Sequence, residues 1–237
     1  MLAQEGAQVI VNGRSQRRVD EAIAKLKAAG LTAEGLAVDL GTKAGADSAI
    51  QRFPEVEILV NNLGIYEVKP FEQISDDDWL RIFEVNVMSG VRLARHYLPR
   101  MKERNWGRII FISSESGVQI PSEMIHYGMT KTAQLAISRG LAETTAGTGV
   151  TVNSVLPGPT ASEAVGGFVK HFAAQRKIDP ADAEKDFFRT ARPSSLLQRF
   201  ATTQEVAALV TFMCSPLSSA TNGAALRADG GVIRSAV

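Results

Sequence analysis

The chain has 237 residues, enough for one sizeable core and the size of a single α/β domain. Charged residues make up 22% and the formal net charge is +1, which leaves no electrostatic case for nucleic acid or an anionic membrane as a partner. The lone cysteine, Cys214, excludes an internal disulfide and a cysteine-ligated zinc site, and no metal site is expected.

No apolar run reaches the length of a membrane span, and the first residues lack the basic start and cleavage site of a secretory signal. A cytoplasmic location is the expectation.

Apolar runs of strand length alternate with helical patterns along the chain. Gln8 to Val11 is short and β-branched and predicts a strand. Gln16 to Ala29 carries Val19, Ile23 and Leu26 at helical spacing, with Gly30 as the C-terminal cap. Leu36 to Leu40 and Glu57 to Asn61 read as buried strands. Ser75 to Asp78 reads as a capping box opening a long helix, with Trp79, Ile82 and Phe83 on its inner face. Arg108 to Ser113 is a predicted strand, Met124 to Thr144 a helix and Val150 to Leu156 a strand. Thr202 with Glu205 caps a helix running to Cys214, and Ala224 to Ala228 is a last strand.

This alternation predicts an α/β fold: a doubly wound, Rossmann-like parallel sheet with helices on both faces. Residues 1–237 form one expected domain, without repeats or a dividing linker. The regular pattern breaks only over Pro159 to Phe200, where two helices are expected, Ser162 to Gln175 and Pro180 to Arg189. A long insertion after a strand end is the form of a substrate lid, here 159–200. Ligands of such sheets bind beyond the carboxyl ends of the strands, so the residues after each strand are the candidates for chemistry.

Tyr127 and Lys131 lie four apart in a helical stretch and share one face. A free tyrosine, with a pKa of about 10, is a poor acid or base at neutral pH; a neighbouring ammonium favours the phenolate. The pair alone is weak, because Tyr and Lys both frequent solvated helix faces. Ser114 stands thirteen residues before Tyr127, at the end of a strand. Asn86 sits between two valines in a helix interior, where its amide must find a partner. Asn61-Asn62-Leu63-Gly64 follows a strand, where it would also serve as a tight turn. Asp39 ends another strand, where a carboxylate is commonly a turn former or helix cap.

Together with Pro157-Gly158 and Asp229-Gly230-Gly231, these residues resemble the short-chain dehydrogenase/reductase family in its shorter, single-domain branch. The motifs run in the family's order over essentially the whole chain. The resemblance implies a nicotinamide-dependent oxidoreductase. Tyr127 is then the general acid in reduction and the base in oxidation. Lys131 lowers its pKa and holds the nicotinamide ribose. Ser114 hydrogen-bonds the substrate oxygen, and Asn86 supports a water joining Lys131 to solvent. Pro157, Gly158 and Thr160 face the nicotinamide, Asp39 and Leu40 the adenine, and Asn61, Leu63 and Gly64 the adenosine ribose side. The family usually has alanine where Leu63 stands, so the approach there is narrower. The resemblance also implies a homo-oligomer, a tetramer or dimer, built through the helices around Asn86 to Met101 and after Tyr127.

The choice of nicotinamide rests on the end of the first strand present, Val11-Asn12-Gly13-Arg14-Ser15. No acidic residue occurs before Asp20 to meet a ribose 2′-hydroxyl. Asn12, Arg14 and Ser15 suit a 2′-phosphate instead, with Arg17 and Arg18 adding charge. NADP(H) is expected, with NAD(H) as the alternative and a solvated basic helix start as the plain reading.

The first strand of such a fold and its glycine-rich phosphate turn are absent from the given chain. Met1 to Ala7 read as the tail of the helix that would follow them, so roughly two dozen residues are expected to precede Met1. The substrate expectation is a carbonyl/alcohol pair; a 3-oxoacyl-thioester reductase is the nearest alternative. Val165, Phe168, Val169, Phe172, Phe187 and Phe188 either line a hydrophobic substrate site or pack on the body. From another class, a non-catalytic binding or assembly protein keeping the fold is disfavoured by the intact Asn86, Ser114, Tyr127 and Lys131. A nucleotide-sugar epimerase is disfavoured by the short C-terminal remainder.

Overall fold

The computed structural model describes residues 1–162, 173, 178–179 and 182–236. The strands are β1 (Val9–Gly13), β2 (Ala33–Ala37), β3 (Ile58–Asn61), β4 (Gly107–Ile112), β5 (Val150–Pro157), the short β6 (Thr160–Ala161) and β7 (Ala201–Thr202), and β8 (Ala225–Ala228). Among the described residues the helices are α1 (Gln16–Ala28), α2 (Lys43–Arg52), α3 (Asp76–Phe83), α4 (Ser89–Glu103), α5 (Ile125–Glu143), α6 (Ala183–Thr190) and α7 (Thr203–Cys214), with a π-type segment at Glu84–Met88.

All the strand pairs are parallel. β1 pairs with β2, and β3, β4, β5 and β8 run side by side in that order. The main layer is thus in two pieces, and β1 and β3 are not hydrogen-bonded to each other. Within the four-stranded piece, alternation sends Ile109, Phe111, Val150 and Val152 towards a cluster with Leu93, Ala94, Tyr97 and Met101 of α4. Ile110 and Val155 point the other way, to Val210, Met213 and Cys214 of α7. Helices therefore cover both faces, as the strand–helix alternation predicts.

Local signals hold where the energy is local. Ser75 and Asp78 make the capping box, as do Thr202 and Glu205, and Gly30 takes φ +74° just past α1. Ala7 N–H donates to Leu2 O at 3.1 Å and Gly6 has φ +88°, which closes the opening turn before β1.

Three expectations are corrected. β2 lies three residues earlier than Leu36 to Leu40. It pairs on one side only and alternates in burial, so the apolar run marks its exit, with Leu40 packing into the α4 cluster. Phe83 is exposed, because the inward line of α3 runs through Trp79 and Ile82 and on to Asn86. The long helix expected to open at the Ser75 capping box is divided, around Asn86, by the π-type turns at Glu84–Met88. In the 159–200 stretch, α6 matches the second expected helix. The first, with Val165, Phe168, Val169 and Phe172, lies outside the described residues. Phe187 and Phe188 are buried, and both rings meet Phe200.

Candidate active site

β4 delivers Ser113 and Ser114 at its carboxyl end, and α5 passes beside it. Two hydroxyls lock strand end to helix. Ser113 Oγ donates to the Lys131 carbonyl at 2.8 Å, and Thr132 Oγ1 donates to Gly117 O at 2.8 Å. Gly117 is required by closeness: a Cβ there would sit 3.0 Å from the carbonyl carbon and oxygen of Lys131. This seam brings the Ser114 hydroxyl to the Tyr127 end of α5, near enough to influence the phenol's ionisation.

Asn86 occupies the π-type turns and is 1% exposed. Such wide turns recur at functional positions in helices. Its side chain clamps the loop after β3: Oδ1 accepts from Ile65 N at 2.7 Å, and Nδ2 donates to Ile65 O at 2.9 Å and to Thr130 Oγ1 at 3.0 Å. That loop carries Gly64, where a Cβ would lie 3.5 Å from Lys131 Nζ, and Tyr66, whose ring meets Tyr127 edge-on at 6.2 Å.

Lys131 Nζ donates to Ile112 O at 2.9 Å and to Gln134 Oε1 at 3.3 Å; it sits 5.5 Å from the centre of the Tyr127 ring. Gln134 Nε2 in turn donates to the Asn86 backbone carbonyl at 2.6 Å. A protein amide thus bridges Lys131 to Asn86. Sequence reading missed Gln134, although its place three residues after Lys131 puts it one turn along the same helix face.

Burial dominates the electrostatics. It pushes the Tyr127 phenol up to about 12, against the lowering effect of the Ser114 hydrogen bond. It pushes the Lys131 ammonium down to about 8. The ammonium itself is tied to Ile112 and Gln134.

The candidate cofactor residues fall along the carboxyl ends of the strands. Arg14 is exposed beyond β1 and makes no hydrogen bond or ion pair with the described residues, and the Ser15 hydroxyl makes no cap bond to α1. Asn12 is otherwise engaged: its Nδ2 donates to Leu36 O at 2.9 Å and Val38 O at 3.0 Å, holding β1 to the exit of β2. Asp39 forms a turn, with Oδ1 accepting from Gly41 N at 3.0 Å, and Leu40 packs inward. Asn61 is buried at the end of β3, and its Nδ2 has no partner among the described residues. Leu63 is half-buried beside Gly64. Pro157 ends β5. Gly158 N–H donates to Ala228 O at 3.1 Å, and Thr160 Oγ1 donates to Gly158 O at 2.9 Å. Among the described residues no cluster of His, Cys, Asp or Glu could hold a metal, and no helix is long and apolar enough to cross a membrane.

A strand-end serine, a helix Tyr–Lys pair and a buried Asn are thus brought together in a parallel α/β fold. The family model described as enoyl-(acyl carrier protein) reductase matches residues 1–233. The uncharacterized oxidoreductase YvaG of Bacillus subtilis (strain 168) is 50% identical over 236 residues, covering 99% of this chain and 89% of that protein. The D-beta-hydroxybutyrate dehydrogenase of Cupriavidus necator is 31% identical, covering 97% of this chain and 90% of that one. The crystal structure of L-sorbose reductase from Gluconobacter frateurii, complexed with NADPH and L-sorbose, matches with a TM-score of 0.88 at 30% identity, covering 98% of this chain and 89% of that one. The chain belongs to the short-chain dehydrogenase/reductase family of oxidoreductases.

Proposed function

We propose that this protein interconverts a carbonyl and an alcohol with NADP(H), Tyr127 handling the proton. The observation that carries the reading is the Ser113–Lys131 seam, which joins the strand end bearing Ser114 to the helix bearing Tyr127, with Lys131 beneath the Tyr127 ring and tied through Gln134 to Asn86.

The residues present fit a phosphorylated dinucleotide. Among the described residues Arg14 offers an unpaired guanidinium and Ser15 an uncommitted hydroxyl beyond β1, and Asn61 keeps a buried amide donor without a partner. At Gly64 the backbone comes close to Lys131, where a Cβ would lie 3.5 Å from Nζ. When bound, the nicotinamide supplies or takes the hydride.

The chain's own residues manage position and proton. Ser114 holds the substrate oxygen beside the phenol and steadies the charge that grows on it. Tyr127 gives its hydroxyl proton to that oxygen in reduction and takes it back in oxidation. Lys131 orients the ribose, and the Lys131–Gln134–Asn86 chain fixes the ammonium. The structural neighbour's complex with NADPH supports the cofactor reading. The relatives' named activities, on L-sorbose and on D-beta-hydroxybutyrate, support small hydroxylated substrates. The 159–200 stretch is proposed as the substrate cover.

The test is NADPH consumption with a panel of L-sorbose, acetoacetate and an acetoacetyl thioester, run beside the Tyr127→Phe variant. Reduction of at least one carbonyl is expected, with a loss of at least ~10²-fold in turnover in the variant and an unchanged fold. Near-normal turnover by Tyr127→Phe overturns the mechanism. Binding of NADPH with no turnover of any carbonyl would point to the non-catalytic class.

A further inference from the structure

Glu115 follows the candidate catalytic serine directly, and it is 4% exposed. A carboxylate only accepts hydrogen bonds. Oε2 accepts from Ser114 Oγ at 2.8 Å and also from the Ser116 hydroxyl. Oε1 accepts from Arg192 Nε at 2.8 Å. Arg192 lies 77 positions along the chain, just past α6 in the 159–200 stretch. Its side chain is 12% exposed. Its Nη1 donates to Ala191 O at 2.8 Å and reaches Glu123 Oε1 at 3.4 Å, and its guanidinium stands 5.9 Å from the centre of the Phe187 ring.

These contacts decide where the Ser114 hydrogen points. A serine hydroxyl is a free rotor unless a partner holds it. Here the hydroxyl is anchored between Glu115 Oε2 and Ser116 N, the latter at 3.1 Å, which fixes the Ser114 oxygen in place; its single hydrogen turns from Glu115 to the substrate oxygen when that oxygen binds. A nearly buried ion pair is an expensive way to stabilise a fold, since apolar packing does as well or better. This one is placed one residue from the reacting hydroxyl.

We infer that Glu115 and Arg192 are positioning residues of the reaction: Glu115 orients the Ser114 hydroxyl, and Arg192 holds Glu115 in place from the end of α6. The inference rests on the Ser114–Tyr127 chemistry proposed above.

The pair also sets the charge around the phenol. The groups facing Tyr127 are Ser114, Glu115, Tyr66 and Arg192, with Lys131 under the ring. Glu115 raises its pKa and Arg192 lowers it. Removing one member alone therefore moves Tyr127 in a direction that depends on which member is lost.

The experiment compares Glu115→Gln, Arg192→Gln and Arg192→Lys with the parent and with Tyr127→Phe, on the best carbonyl of the panel. It reads kcat and KM across pH, with thermal melts. Glu115→Gln and Arg192→Gln are expected to lose at least ~10-fold in kcat, with KM changed less than about threefold, because the interaction acts on the transition state. The Tyr127 limb of the kcat profile is expected to move to lower pH in Glu115→Gln and to higher pH in Arg192→Gln. Arg192→Lys, which keeps the charge, recovers part of the loss.

Parent-like kcat in both glutamine variants while Tyr127→Phe is inactive overturns the positioning role and leaves the general-acid reading standing. Equal losses that track lowered melting temperature, with no opposite movement of the limb, also overturn it, making the pair a structural clamp. An active Tyr127→Phe, or a panel with no turnover, fails the underlying reading, and the inference falls with it.

Discussion

The Lys131 ammonium donates to the Ile112 carbonyl at 2.9 Å, so the helix that carries Tyr127 is pinned to the end of β4 by a charge that has left water. Catalytic geometry is here obtained at a cost in stability, and that cost depends on pH.

Burial holds the Lys131 pKa at about 8, below its ordinary 10.5. The stability it contributes is then fully present above about 10.5 and lost as pH falls through about 8. The gap corresponds to about 3 kcal/mol. Lys131→Met removes this titration. The stability of the parent relative to Lys131→Met is therefore expected to rise between about pH 8 and 10.5, as measured by urea melts over that range. A difference that stays flat with pH would show an ammonium still in contact with water.

Gly117 and Gly140 give opposite expectations for the same substitution. At Gly117 a Cβ would press within 3.0 Å of the Lys131 carbonyl and of Ser113 Oγ. Gly117→Ala is expected to cost about 1–3 kcal/mol and to lower turnover, because the Ser114 loop is pushed off α5. At Gly140, inside α5, nothing lies within 4 Å of the new methyl. Gly140→Ala is expected to stabilise by about 0.5–1 kcal/mol and leave turnover alone. Thermal melts and kcat of the two variants check the contrast.

Arg14→Asp places a carboxylate where the proposed 2′-phosphate would lie. It is expected to weaken NADPH far more than NADH, because the repulsion acts on the phosphate. Calorimetric titration with both cofactors measures this. Equal weakening would reduce Arg14 to a surface residue.

Assembly is expected to involve α5. Its apolar side chains Ile125, Met129, Ala133 and Ala136 border a cavity of about 400 Å³ together with the half-exposed Ile120. We expect a homo-oligomer, a tetramer with two-fold axes or a dimer. Light scattering that gives a monomer at micromolar concentration would count against it.

Much of this protein was legible in its sequence. Apolar periodicity located the strands and helices, and the capping boxes at Ser75 and Thr202 fixed two helix starts, because those energies act within a few residues. The helical repeat put Tyr127 and Lys131 on one face, and the order of motifs named the family. Contacts between distant segments depend on how elements pack, and no local pattern encodes them. Only the tertiary structure placed Arg192 against Glu115 and turned the Asn12 amide to the exit of β2. It also made Gln134 the link from Lys131 to Asn86. Burial, too, is set by packing. The sequence pairs an ammonium with a phenol, but the fold buries both, raising the phenol's pKa and lowering the ammonium's because each charged form has left water.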